Sequence, residues 1–160
     1  MAENDEASGD LVKLNVRDAD PDDAGEVMVG MPHGKAIAMR LHRSVGGNSH
    51  LSVPYDERLI GDPHTGVLHG GVITALLDTA CGSAVMSMPG KMRSTATLDL
   101  RIDYMRPATK GLAVHAKAEC YRMTRSVAFA RAVAYHDDSD DPIASAAGAF
   151  VVERPKEPQE

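Results

Sequence analysis

Apolar residues at Ile73, Leu76, Leu77, Ala80, Cys81, Ala84, Val85 and Met88 recur at the i, i+3, i+4, i+7 spacing of an α-helix, which predicts a helix over residues 70–88. Most of the other positions there are Gly, Ala, Ser or Thr, so nearly every side of this helix can be buried, and its only charge is Asp78. An ionised carboxylate without partners is strongly unfavourable in such a place. Asp78 must be paired, neutralised by a raised pKa or used in chemistry, unless it faces solvent or hydrogen-bonds structurally to a neighbouring strand.

Elsewhere the period falls from 3.6 to 2. In residues 97–104 the alternation is strict and puts Leu98, Leu100, Ile102 and Tyr104 on one face of a strand. Residues 35–45 and 50–55 read as strands around a turn at Gly46-Gly47-Asn48, followed by a loop containing Gly61-Asp62-Pro63. After the helix, residues 112–121, 126–136 and 143–152 read as three further strands. In the middle one, Ala128, Ala130, Ala132 and Ala134 alternate with Val127, Phe129, Val133 and Tyr135, a small-large pattern suited to close wrapping. One long helix set early among antiparallel strands is an α+β layout in which a curved sheet wraps a single central helix. Residues 1–24, rich in Asp, Glu and small side chains, read as a flexible acidic arm, residues 25–153 as the domain, and 154–160 as a flexible tail.

Length and charge narrow the partners. A chain of 160 residues carries one domain with a real core. A net charge of −6 with only 4% aromatic residues leaves neither a phosphate-tracking patch nor a base-stacking platform, so no nucleic-acid partner is expected. Cys81 and Cys120 are far apart and outside any Cys-x-x-Cys pattern, which argues against a disulfide scaffold or a thiolate zinc site. The N-terminus lacks the basic and apolar regions of a secretory signal, so a cytoplasmic location is expected. The helix approaches membrane-spanning length, but its Asp, Gly, Ser and Thr content speaks against a lipid-exposed span, and no membrane partner is expected.

Several chemistries drop out on motif grounds. There is no Gly-x-Ser-x-Gly elbow and no His-Glu-x-x-His, and residues 30–36 are one short of a P-loop and lack its hydroxyl residue. The acidic turn 137–142 lacks the glycine and later glutamate of an EF-hand loop, and His64 with His69 makes a poor metal pair, so neither metal nor cofactor is expected. What remains is Gly70-Gly71 at the start of a buried helix, where free backbone N–H groups and the positive end of the helix dipole converge on a ready site for a polarised carbonyl oxygen. The plainer reading is that the glycines only permit a tight turn or close packing.

The pattern Gly66-x-x-His69-Gly70-Gly71, Asp78 nine residues after the histidine, then Tyr104-Met105-Arg106-Pro107-Ala108 and Gly111, resembles the hotdog-fold acyl-CoA thioesterases of the phenylacetic-acid-degradation type, over residues 35–152. The resemblance implies a hotdog fold and hydrolysis of an acyl- or aryl-CoA thioester to free acid and coenzyme A. It implies that Asp78 activates water or acts as nucleophile, that the Gly70 N–H polarises the thioester carbonyl, that His69 shapes that pocket, and that Thr97 holds the position of a water-orienting hydroxyl. Many members carry an Asn six residues before the histidine; here that position is Pro63, which has no side-chain donor, and His64 is the nearest polar replacement. Gly71 and His64 join Arg106 and Arg125 as candidate substrate contacts, with Lys110 and Arg122 as further phosphate candidates and Met86 and Met88 as candidates for shaping the acyl pocket. The alternatives are an enoyl-CoA hydratase on the same fold, whose Asp-x-Asn-Pro-x-His pattern is missing here, and a non-catalytic acyl-CoA-binding module, for which no attached output domain is seen.

Helix geometry adds an expectation of its own. Gly70 and Asp78 are separated by about 12 Å of helix rise. An oxyanion donor and a water-activating base that serve one carbon belong only about 6 to 8 Å apart. If both act, Gly70 of one chain faces Asp78 of another, and the working unit is a homodimer with composite sites or a dimer of such dimers.

Overall fold

The computed structural model describes residues 28–90 and 94–153; the predicted arm 1–24 and tail 154–160 lie outside the described residues. Its elements run α1 (Pro32–Ala36), β1 (Arg40–Val45), β2 (Asn48–Val53), a 3-10 turn (Glu57–Leu59), α2 (Gly70–Met86), β3 (Ser94–Tyr104), β4 (Val114–Met123), β5 (Val127–Tyr135) and β6 (Ala144–Glu153). The strands form one antiparallel sheet in the order β1-β2-β4-β5-β6-β3, so α2 carries the chain from the β1–β2 hairpin at one side of the sheet to the edge strand β3 at the other.

The sheet wraps α2 because its inner face is built from small residues. Ala116 and Ala118 of β4, Ala128, Ala130, Ala132 and Ala134 of β5, and Ala144 and Ala146 of β6 are all buried, while the larger Val127, Phe129 and Val133 lie on the other face and are less buried. Short side chains let the backbone approach the helix, and Leu51, Leu76, Leu77, Met86 and Phe150 fill what remains, all at 2% exposure or less. Polar contacts tie the helix to the first hairpin: Ser49 Oγ donates to Ala80 O at 2.7 Å and Ser44 Oγ to Ser83 O at 3.2 Å. The hairpin closes on two residues, Gly46 and Gly47, at φ 59° and 80°, the doubly positive turn that matches strand twist and that only glycine adopts readily.

Two predicted strands need correction. The stretch 35–45 is not one strand: Pro32 starts a short helix, Ala38 takes φ 52°, and pairing begins only at Arg40. In β3 the strict alternation is broken by a bulge between Thr97 and Asp99, where Thr97 pairs with Phe150 and Asp99 with Ala149. Leu98 is the extra residue, 61% exposed, and does not share a face with Leu100 and Ile102. Instead Thr97 takes up the helix-facing side, opposite the buried Phe150. The other predicted segments differ from the observed strands mainly at their ends, as does the helix, which stops at Met86.

Candidate active site

His69 has extended backbone angles (φ −61°, ψ 135°) and is the N-cap of α2, its Nδ1 accepting from Gly71 N at 2.9 Å. The loop before it is held on both sides. Ile60 and Leu68 form a bridge, Gly61 N donates to Val67 O and His69 N to Leu59 O, both at 2.9 Å, and Tyr55 Oη donates to Gly66 O at 2.8 Å. Around Pro63, the Asp62 carboxylate accepts from His64 N and Thr65 Oγ1, which hold it below the usual carboxylate range. Pro63 therefore belongs to a side-chain-closed turn that presents the His69 cap.

The first turn of α2 separates the two glycines. The Gly71 N–H is committed to His69, so it is not the free donor the glycine pair suggested. The Gly70 N–H has no acceptor among the described residues. Its carbonyl, by contrast, accepts from Tyr104 Oη at 2.8 Å and Thr74 Oγ1 at 3.2 Å, and those hydroxyls lie 2.8 Å from each other. Tyr104 thus pins the start of the helix to the end of β3. The sequence pattern names Tyr104 without giving it this positioning contact; the available signal is a tyrosine at the end of an alternating strand, just ahead of Pro107. A groove of about 390 Å³ opens beside this point, lined by Leu68, Gly70, Ile73, Tyr104, Met105 and Ala108 among others. It is mainly apolar, and Gly70 stands at its wall.

Two turns further along α2, Asp78 is partly exposed, and its Oδ1 accepts from Thr97 Oγ1 at 2.7 Å. The bulge in β3 creates this contact, because in a regular strand Thr97, three residues before Leu100, would fall on the face opposite it. Oδ2 has no hydrogen-bond partner among the described residues and remains available to a water. Cys81, one turn on, is no rival nucleophile. It is fully buried, and burial together with the nearby Asp78 charge pushes its thiol up to about 12.

The remaining candidates are dispersed. His64 is exposed and its ring makes no hydrogen bond among the described residues. Arg106 borders the groove but is tied to the Asp141 turn, donating to Asp141 O at 2.8 Å and pairing with its carboxylate at 3.0 Å. Lys110 runs its aliphatic stem past Gly66 at the same end of the helix. Arg122 and Arg125 lie at or near the β4–β5 turn, at the opposite end of the sheet, where α2 finishes. Met86 is in the core at that same end, and neither it nor Met88 lines the groove at Gly70.

Comparison with known proteins agrees with this architecture. The family model described as the thioesterase superfamily matches residues 65–143, which contain the His69 cap, the whole of α2 and β3. The medium/long-chain acyl-CoA thioesterase YigI of Escherichia coli K12 is 30% identical over 142 residues, covering 80% of this chain and 90% of that one. A solved structure from Pseudomonas aeruginosa is 38% identical, with a TM-score of 0.74 over 82% of this chain and 98% of its own. The Escherichia coli PaaI protein of the phenylacetic acid degradation operon, 18% identical, shares the fold at a TM-score of 0.71 over 84% and 91% of the two chains. With an extensive similarity in sequence and a helix wrapped by the same kind of sheet, the chain belongs to the thioesterase superfamily and has its hotdog fold.

Proposed function

We propose that the chain is an acyl-CoA thioesterase in which Asp78 is the catalytic carboxylate. The observation that carries the proposal is the Thr97–Asp78 contact at 2.7 Å, a carboxylate on the central helix aimed by a hydroxyl and left with one oxygen free. In the reaction, water attacks the thioester carbon while Asp78 Oδ2 takes its proton, or Asp78 attacks first and water resolves the anhydride. The carbonyl oxygen becomes an oxyanion held by the Gly70 N–H, and collapse breaks the C–S bond and releases coenzyme A thiolate and the free acid. His69 acts through the turn it caps, keeping the Gly70 N–H directed outward. No metal or cofactor enters these steps.

The working unit we propose is a homodimer, or a dimer of dimers, in which Gly70 of one chain and Asp78 of the other share a substrate. Both residues lie on one unbroken helix, which keeps the helix-rise argument in force. The apolar groove beside Gly70 suits an acyl chain, and Arg106 and Lys110 at its end of the molecule suit the coenzyme A phosphates. YigI is named for medium- and long-chain substrates, which favours aliphatic acyl groups over aryl ones here. A cytoplasmic location fits the two unpaired cysteines, and among the described residues no helix is long and apolar enough to cross a membrane.

Asp78→Asn tests the reading because it keeps the shape and removes the base. Thiol release from a panel of acyl-CoA esters of increasing chain length, with phenylacetyl-CoA included, is expected to fall by at least about a hundredfold in this variant with folding intact. A rate within about threefold of the parent would remove Asp78 from the mechanism.

A further inference from the structure

The pairing of β1, β2 and β4 assembles a group that no spacing in the chain announces. His42, His50 and His115 come from three neighbouring strands and sit together on the sheet face turned away from α2. The facing follows from their neighbours: Leu51 and Val53 flank Ser52 on the core side, and Val114 and Ala116 flank His115 in the core. His42 is the extra residue of a second bulge, between Leu41 and Arg43, which turns its ring toward the other two. One nitrogen from each ring can be chosen so that all three lie within 4.8 Å of one another.

The distances are those of a site one small adjustment from closing. Two imidazole nitrogens on a tetrahedral Zn²⁺, at bonds of about 2.0–2.1 Å, are held roughly 3.3 Å apart. His50 Nε2 and His115 Nδ1 are 3.2 Å apart already. The His42 ring lies 4.6 Å from the His50 ring, centre to centre. Ser52 Oγ, 2.8 Å from His42 Nε2, supplies the orienting contact that metal-bound imidazoles use, and Tyr135, stacked on both His50 and His115, walls the group on its third side.

We propose that His42, His50 and His115 bind a borderline divalent transition-metal cation, Zn²⁺ foremost, with water in the fourth position. The ion clips the edge strand β1 to β2 and β4 on the face opposite Asp78, and takes no part in the thioester chemistry. Lys117, whose ammonium sits 5.1 Å over the Tyr135 ring, opposes a cation nearby and keeps the affinity moderate.

The test uses the full-length chain without a histidine tag, stripped with chelator and titrated with Co²⁺ alone, then with Zn²⁺ alone. The expected results are one equivalent of Co²⁺ per chain with the visible band of a four-coordinate nitrogen site, its displacement by Zn²⁺, and a Zn²⁺-dependent rise in the thermal midpoint. His42→Ala, at an exposed position that tolerates truncation, and His50→Ala are each expected to weaken binding at least tenfold and abolish the thermal shift, while His33→Ala on α1 leaves both unchanged. Absence of binding at millimolar metal would overturn the proposal. So would binding equally strong in His42→Ala and in a His50→Ala protein with the parent's circular dichroism, since the ion would then be held adventitiously elsewhere on the surface.

Discussion

Thr97 and Tyr104 stand on the same strand and do different jobs. Tyr104 orients a backbone group, and Thr97 orients a charge. A hydrogen bond to an ionised acceptor contributes about 1.5–3 kcal/mol, against about 1 kcal/mol for a neutral pair. Thr97→Val keeps the β-branched shape and deletes the donor, so it is expected to lower kcat about tenfold with KM little changed, since a misaimed carboxylate affects the chemical step. Thr97→Ser, which restores the hydroxyl, is expected to stay within about threefold of the parent in the same thiol-release assay. A Val variant as fast as the parent would show that Asp78 needs no orienting partner. At this scale the sequence singled out Asp78 because a single charge in an apolar helix has few bland explanations, and in the fold its carboxylate accepts from Thr97. Tyr104 was not legible as a positioning residue, because its partner, the Gly70 carbonyl, lies 34 positions away and is joined to it only by the fold.

The bulge in β3 is the element on which the Asp78–Thr97 contact depends, and it has a visible structural requirement in the opposite strand. A Cβ at Gly148 of β6 would come within 2.5 Å of Asp99 O and 2.9 Å of Leu100 Cδ1, just where β3 carries its extra residue. Gly148→Ala is therefore expected to push β3 away, destabilising the protein by about 1–3 kcal/mol as overpacking does. It should also lower activity by spoiling the aim of Thr97. Urea unfolding together with the assay checks both, and Gly90→Ala, facing open space but at φ 111°, is expected to lose stability from backbone strain without the loss of activity. The long helix and most of the strands could be read from periodicity because each follows from which residues must be buried. The bulges could not, because an inserted residue looks like ordinary alternation until the partner strand is known: the run Leu98, Leu100, Ile102 reads as one face and is in fact two. The three-histidine group escaped for the same reason, since His42 and His115 meet only across an intervening strand.

For the molecule as a whole, the open matter is whether one chain makes a complete site, and backbone chemistry offers a clean way to ask. Gly70 is the first residue of α2, where proline fits a helix, and His69 before it already has the extended ψ of 135° that a following proline requires. Gly70→Pro therefore deletes the one N–H proposed to hold the oxyanion while leaving the helix in place, a substitution that few oxyanion holes permit. Alone, this variant and Asp78→Asn are each expected to be at least about a hundredfold slow. Mixed in equal amounts under conditions that exchange subunits, they form mixed dimers in half of the population. In a composite arrangement each mixed dimer has one site with neither defect and one with both, so activity should return to about a quarter of the parent's. If Gly70 and Asp78 serve the same substrate within one chain, every site keeps one defect and mixing restores nothing. Recovery near a quarter, measured against the unmixed variants by thiol release, would establish shared sites; a flat line in a mixture shown by mass spectrometry to have exchanged would place the whole reaction within a single chain.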